Sequence, residues 1–375
     1  MSKQKVPSPV DASRRSFLGG VSAGMVTAGL GAALTSMPGS VRAKELSNVR
    51  WGIVGTGGIA RSMAPRIQQA DHAELAAVSS RRLESAQKFA GTFGVDKAFG
   101  SWAEMLESDA VDAIYVATPT SVREDICVAA AQAGKHVLGE KPFANLPSLR
   151  RITAACRDNG VGFMDGTHFP HHPRTAFIKA HMGEQVGWPW SLASAFQFSM
   201  TDTGNIRLKP DLEPYGAIGD AGWYNMRAAA EYLPADLEIS SVDAYMRRHP
   251  ETGAAVSGSG VIVFSDGSTT TWNCGFESGA GIQDLRITGA TGVIKLDDFL
   301  GQRSSDMAGV YELLQGWSGS ETVVVPSSKS AATLMFEDFA AMVGSSDLFE
   351  ASVAASDRTQ YLLDAVWESA LGNEG

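Results

Sequence analysis

Cysteine is nearly absent from this chain: Cys127, Cys156 and Cys274 are the only three in 375 residues. An odd count without metal-like spacing argues against a disulfide framework or a cysteine zinc site and points to isolated buried thiols. Charge is sparse at 19% of residues, yet 44% are hydrophobic, which excludes a disordered chain, a collagen-like repeat and a multispanning membrane protein. Positive charge is scarcest in the body of the chain. Lys and Arg number 31 against 41 Asp and Glu, and five basic groups with one acid fall within the first 43 residues. That segment therefore carries +4 and everything after it −14. So acidic a body repels phosphate backbones and anionic lipid, which counts against nucleic-acid or membrane-surface binding and favours neutral or cationic small molecules as ligands. At ~100–200 residues per domain, the length suggests two domains.

The N-terminus differs in kind. Ser13-Arg14-Arg15-Ser16-Phe17-Leu18-Gly19 opens an uncharged, glycine-rich run that ends at Val41-Arg42-Ala43. A basic start, an uncharged middle and small residues at the end describe a signal peptide over residues 1–43, cut before Lys44. The paired arginines resemble the twin-arginine motif of the bacterial pathway that exports folded proteins, so the mature protein is expected in the periplasm. The run could just span a bilayer, but its glycines and its cleavage-like end favour processing over a retained anchor. A protein folded in the cytosol before export needs no disulfide, in keeping with the cysteine count.

Beyond residue 44 the pattern is regular. A strand from Val49 to Val54 precedes an amphipathic stretch to about Ala70, and Leu75 to Ser79 precedes a helical pattern from Leu83 to Phe93. Ala113 to Ala117, Val122 to Ala133 and His136 to Gly139 continue as strand, helix and strand. Alternation at this spacing predicts a parallel sheet with right-handed crossovers. After about Gly166 the rhythm changes. Val256 to Phe264 and Thr269 to Phe276 flank Ser265-Asp266-Gly267-Ser268 as a hairpin, Ile282 to Thr288 and Gly292 to Leu296 read as further strands, and Ala331 to Val343 and Asp357 to Leu371 as helices. The expected fold is α/β: a Rossmann dinucleotide-binding domain over 44–165, then an α+β domain with an open, mainly antiparallel sheet over 166–375.

The first strand runs into Gly55-Thr56-Gly57-Gly58-Ile59-Ala60, which fits the dinucleotide fingerprint. The first glycine permits the tight turn, the second lets backbone approach a pyrophosphate, and the small third residue lets helix and strand pack closely. The pyrophosphate would sit on the helix N-terminus. The second strand ends in Ser79-Ser80-Arg81-Arg82, without the acid that accepts both ribose hydroxyls and repels a 2′-phosphate. Ser80 and Arg81 favour the phosphate, so NADP is expected over NAD; solvated helix-start arginines are the bland alternative.

Ligands of open α/β sheets bind outside the carboxyl ends of the strands. Two such ends are Ala117-Thr118-Pro119 and Gly139-Glu140-Lys141-Pro142. Thr118, Pro119, Glu140 and Lys141 are accordingly expected along the cofactor, and Pro142 is expected to hold Lys141 extended, its ammonium in the crevice. Gly219-Asp220-Ala221-Gly222-Trp223-Tyr224 opens a helix on which Asp220 and Tyr224, four apart, share a face. A lysine, a tyrosine and an acid beside a nicotinamide make a proton-transfer set, with the tyrosine brought towards neutrality by the cation. Read by themselves, Asp220 as a helix cap and Tyr224 as a core aromatic are the preferred reading.

These segments, in this order from Val49 to the end, resemble the family of glucose–fructose oxidoreductases, inositol dehydrogenases and their relatives (Gfo/Idh/MocA). Met164-Asp165-Gly166-Thr167, Pro173-Arg174-Thr175 and Asn205-Ile206-Arg207 are similar to the branch of NADP-dependent xylose and dihydrodiol dehydrogenases. The resemblance implies that Lys141 and Tyr224 carry catalysis and that Asp220 helps to bind a sugar or polyol, with Arg207 and His168 as further substrate contacts. It implies no metal, and His168, His171 and His172 have no suitably spaced acid or cysteine nearby. The chain departs from the family in two places: where many relatives have an Asn and, three residues later, a His, it has Thr120 and Arg123, and His168-Phe169-Pro170-His171-His172 replaces a stretch that is commonly aromatic and Arg-containing.

The expected activity is hydride transfer between a sugar or polyol and a nicotinamide, with Tyr224 taking the hydroxyl proton and Lys141 stabilising the phenolate. Export joined to a complete cofactor site adds a tightly held cofactor recycled by a second sugar. Competing readings are an NAD-dependent redox-assisted glycosidase and a nonenzymatic sugar- or cofactor-sensing protein. Apolar strands such as Val261-Ile262-Val263 need cover, so a homodimer or homotetramer is expected, as in the family. Replacing Arg81 with Asp should weaken NADP relative to NAD by ~1–3 kcal/mol, the scale of a lost charge-assisted contact. Fluorescence titrations with both nucleotides measure that ratio.

Overall fold

The computed structural model describes residues 48–301, 307–343 and 345–374; the signal segment read at 1–43 lies outside them. Six strands form the first sheet: β1 (Val49–Val54), β2 (Ala73–Ser79), β3 (Lys97–Phe99), β4 (Ala113–Val116), β5 (His136–Gly139) and β6 (Phe163–Asp165). They lie in the order β3-β2-β1-β4-β5-β6 and every pair is parallel. The helices between them are α1 (Gly58–Gln69), α2 (Leu83–Phe93), α3 (Trp102–Glu107), α4 (Thr120–Gln132) and α5 (Leu146–Asp158). β1 and β4 are buried almost throughout, as strands covered on both faces must be.

Register levels the carboxyl ends of these strands. Val54 pairs with both Ser79 and Val116, Val116 with Gly139, and Gly139 with Asp165. The next residues, Gly55, Ser80, Ala117, Glu140 and Gly166, therefore emerge along one rim. The strand order reverses between β1 and β4, which opens the crevice where such sheets take their ligands.

The chain then builds α6 (Pro173–Gln185), β7 (Pro189–Ser199), α7 (Gly216–Asp220), α8 (Gly222–Tyr232) and strands β8 (Ile239–Arg248), β9 (Ala255–Phe264), β10 (Thr269–Gly275), β11 (Glu277–Gly289), β12 (Val293–Leu296), β13 (Gly309–Gln315) and β14 (Gly319–Val325). This second sheet runs β14-β13-β12-β11-β7-β10-β9-β8, antiparallel except for β7 beside β10. Strand alternation turns Leu192, Phe196, Trp272, Cys274, Leu285 and Ile287 inward, where they are buried. On the opposite face Ala193, Thr271 and Ser259 are exposed and Val261 and Val263 half-buried, so the centre of that face is small-residued and open, with Tyr245, Arg247, Asp284 and Arg286 beside it in register.

α8 lies beneath the inward face and is buried nearly all round, from Trp223 to Tyr232. Its far side meets α10 (Ser346–Gly372). α9 (Ala331–Met342) returns to the first sheet, where Phe336 and Phe339 pack on Trp51 with ring centroids 5.1 and 4.7 Å apart. All three cysteines are buried and unpaired, and burial pushes the Cys156 and Cys274 thiols up to about 12. Among the described residues no helix is long and apolar enough to cross a membrane.

Two expectations are corrected. The C-terminal helix begins at Ser346 rather than Asp357, its first turns anchored by Phe349 packing on His136 and Phe339, a tertiary contact that no local apolar pattern shows. The helix expected to open at Gly219 is two helices meeting at Ala221, so Asp220 ends α7 while Tyr224 lies in the first turn of α8. Asp220 caps no helix N-terminus; its side chain is committed elsewhere.

Candidate active site

The fingerprint builds a cradle without side chains. Gly55 has φ +108°, and a Cβ there would lie 2.7 Å from the Ala117 carbonyl oxygen, so only glycine fits. A Cβ on Gly57 or Gly58 would meet nothing within 4 Å, so both face open space. Gly57 caps α1 with no side-chain hydrogen bond, which leaves first-turn N–H groups for an anion. The hydroxyls of Ser79 and Thr118, at two strand ends on the same rim, are buried without a partner. Open space at a helix N-terminus with orphaned hydroxyls along the rim fits a dinucleotide. Ser80 is half-buried and its N–H donates to the Phe99 carbonyl, while Arg81 and Arg82 are exposed at the end of β2.

A cavity of about 590 Å³ continues from this cradle and is lined by Gly57, Ile59, Thr118, Lys141, His168 and Tyr224, among others. Most expected site residues meet here, including Gly58, Glu140, Arg207 and Asp220. Ser80 and Arg81 do not line it.

The Lys141 side chain is only 7% exposed, and its Nζ donates at 2.8 Å to both the Asp220 carboxylate and the Asp220 carbonyl. The other carboxylate oxygen of Asp220 is 2.8 Å from Arg207 Nε. Burial alone would raise the Asp220 pKa, but two cations on one carboxylate hold it well below the usual range. The Lys141–Pro142 bond is cis.

The Lys141 ammonium sits 4.7 Å from the centroid of the Tyr224 ring, over its face. Tyr224 is wedged between His168 and Phe196, ring centroids 5.8 and 5.5 Å away. Its pKa corrects the expected lowering: burial, then Glu140 and Asp220, push the phenol well above its ordinary value. Asp220 has already offset the lysine charge that was to stabilise the phenolate. His168 is pushed down to about 4 by burial and by Lys141, so it is neutral at physiological pH.

Glu140 is buried, accepts a hydrogen bond from the Tyr115 hydroxyl and takes the Lys141 N–H at 3.2 Å. Burial raises its pKa, opposed by Lys141. Tyr115, Phe196 and Glu213 are site residues that sequence reasoning missed. Tyr115 sits inside a buried strand and Glu213 in a loop, and neither position carries a signal of its own. Among the described residues no group of three or more His, Cys, Asp or Glu is placed to hold a metal. His171 instead pairs with Asp338 at 2.7 Å and His172 contacts the Met307 carbonyl at 2.8 Å.

Residues 49–167 match the model of an oxidoreductase family with an NAD-binding Rossmann fold, Gfo/Idh/MocA. The dTDP-3,4-didehydro-2,6-dideoxy-alpha-D-glucose 3-reductase of Actinomadura kijaniata is 33% identical over 247 residues, 65% of this chain and 73% of that protein. The chain belongs to the Gfo/Idh/MocA family. Another member, the D-xylose 1-dehydrogenase (NADP(+)) 2 of Haloferax volcanii, is 32% identical over 61% of this chain and 70% of its own. Among solved structures, the Actinomadura kijaniata 3-ketoreductase in complex with NADP and TDP-benzene superposes with TM-score 0.77 and 28% identity, over 86% of this chain and 98% of that one. Aldose-aldose oxidoreductase from Caulobacter crescentus, at 19% identity and TM-score 0.76 over 87% of this chain and 98% of its own, shares the fold.

The depressed Asp220 pKa has a consequence for stability in acid. A carboxylate held below its unfolded value contributes stability that is present above that value, near 4, and is lost as pH falls towards the folded one. The stability gap between the native protein and Asp220→Asn should be largest at neutral pH and narrow steadily below pH ~4. Urea unfolding of both proteins across that range measures it; a gap independent of pH contradicts the ion cluster.

Proposed function

We propose that this protein is an exported, NADP-dependent oxidoreductase acting at a CH–OH carbon, or the matching carbonyl, of a sugar or polyol. The observation that carries the reading is the placement of Tyr224. Its side chain lines the cavity beside the Lys141–Asp220 pair, and no described residue hydrogen-bonds its hydroxyl. A buried phenol aimed at open space, one rim away from a phosphate cradle, is a proton carrier awaiting a substrate oxygen.

NADP, when bound, supplies or accepts the hydride. Gly55, Thr56, Gly57, Gly58 and Ile59 shape its cradle, Thr118, Pro119, Glu140 and Lys141 flank it, and Ser80 with Arg81 selects the 2′-phosphate. NADP-dependent and NADP-bound relatives support that choice over NAD. Tyr224, neutral in the folded protein, donates its proton to the substrate carbonyl oxygen in the reducing direction. In the oxidising direction it must first lose that proton, and Arg207 is the cation that opposes the cost of the resulting phenolate. Arg207 is half-buried, and its terminal nitrogens have no partner among the described residues, so they are available to substrate hydroxyls. Neutral His168 and the spare lone pairs of Asp220 complete that wall.

The twin-arginine segment supports export in the folded state, and a cofactor carried from the cytosol must dissociate slowly to be of use outside it. The proposal therefore includes periplasmic location, tight cofactor retention and turnover of sugar pairs without added nucleotide. The outer face of the second sheet, small-residued at its centre, is the surface proposed to pair two subunits.

Tyr224→Phe should leave NADP affinity intact and lower turnover by ~10²–10⁴-fold, as steady-state rates beside nucleotide titration will show. Because the phenol is held protonated, sugar oxidation by the native protein should climb with pH into the alkaline range, while carbonyl reduction should fall there. Protein purified from the periplasm should carry nucleotide in its absorption and mass spectra and behave as a dimer or tetramer by light scattering. A protein that arrives empty and works only with free NADP is an ordinary dehydrogenase.

A further inference from the structure

Arg123 is a buried cation that the proposed reaction does not use. It is 4% exposed, lines the cavity, and none of its hydrogen bonds goes to a carboxylate. Nη1 donates to the Pro142 carbonyl and, at 3.0 Å, to Thr120 Oγ1, while Nη2 donates to the Thr118 carbonyl at 2.5 Å. Those two carbonyls belong to different loops. Thr118 follows β4 on the cofactor side, and Pro142 follows Lys141 at the end of β5. A planar guanidinium can hold both at once, whereas a single ammonium cannot span such a fork.

The lysine is thus held on both flanks. Its own N–H is fixed by Glu140, which Tyr115 holds in turn, and the carbonyl that follows it is fixed by Arg123. Thr120 anchors the same unit through Glu213, which accepts from the Thr120 N–H at 3.1 Å and from its hydroxyl at 2.6 Å. Burying an unpaired cation is costly, and an apolar residue would fill this space between helix and sheet. The geometry of its donors accounts for an arginine here.

We infer that Arg123 is a positioning residue that locks the Lys141 loop against the Thr118 loop, so that the ammonium meets Asp220 and the face of Tyr224. The inference rests on Lys141 and Tyr224 being the proton-transfer pair.

Arg123→Lys and Arg123→Gln test it in the full-length protein. Titration with NADPH counts competent sites, so rates can be expressed per site and loss of folded protein is removed from the comparison. The expected result is NADP affinity within about threefold of native and turnover per site lowered by about 10- to 100-fold, the scale of a small misplacement of reacting groups. Lys should recover part of the loss seen with Gln, and the alkaline rise in oxidation should move to higher pH in both variants. Turnover per site within about twofold of native overturns the inference, as does a loss confined to NADP affinity. If neither variant binds NADPH, Arg123 serves the cofactor site or the fold, and the positioning role is again rejected. Tyr224→Phe separates the two levels. A Tyr224→Phe protein at native rate rejects the proton-transfer pair, whereas an inactive one beside fully active Arg123 variants rejects only the positioning role.

Discussion

Asp220 sits with one carboxylate oxygen on Lys141 and the other on Arg207, all three removed from much of the solvent. Desolvating a carboxylate costs several kcal/mol, and the pairings recover that only when the geometry is good. The lysine comes from the end of a strand in the first sheet, the aspartate from the last residue of a short helix, and the arginine from the 3-10 turn Ile206–Leu208 across the cavity. Separating Lys141 from Asp220 would strand a buried charge, at a cost of ~3–5 kcal/mol. The site is therefore where it is because the cluster closes only when both halves of the chain are in place.

A second buried ionic group backs the first. Asp165, at the end of β6, accepts from Arg227 at 2.6 Å and from Ser356 at 2.5 Å, and Arg227 also meets Glu231, which Lys179 reaches at 2.7 Å. Trp223 adds an indole N–H to Thr167 Oγ1 at 2.6 Å. These contacts tie α8 to the first sheet, to α10 and to α6, so the helix that presents Tyr224 is fixed along its length. The two groups differ in one respect that bears on function. Behind α8, Asp165 and Arg227 are closed within the protein and Lys179 reaches solvent, whereas the group facing the cavity keeps a half-buried arginine and a phenol with unused hydrogen-bonding capacity.

The same electrostatics set the protonation state of Tyr224. A lysine near a tyrosine lowers its pKa only when that charge is not already neutralised, and here Asp220 neutralises it at contact distance. Burial and two carboxylates then dominate. A phenol of this kind is held protonated at neutral pH, so it enters the site carrying its proton.

Local chemistry was enough for the cradle and for the strand–helix rhythm around it. Gly55 must be glycine because backbone crowds it, and the buried strands β1 and β4 declare themselves as short apolar runs. The hairpin from Ala255 to Gly275 is legible for the same reason, since turn residues sit between two alternating strands. What depends on distant pairing was not legible. Glu213 bonds Thr120 across 93 positions and Asp220 meets Lys141 across 79, separations over which no sequence period carries information. The break at Ala221 was hidden too, because Gly219-Asp220-Ala221-Gly222 is locally compatible with one continuous helix. The sequence alone determined which residue types could transfer a proton and cradle a phosphate; the tertiary fold decided which charges they would face, because burial and pairing, unlike residue type, are properties of neighbours.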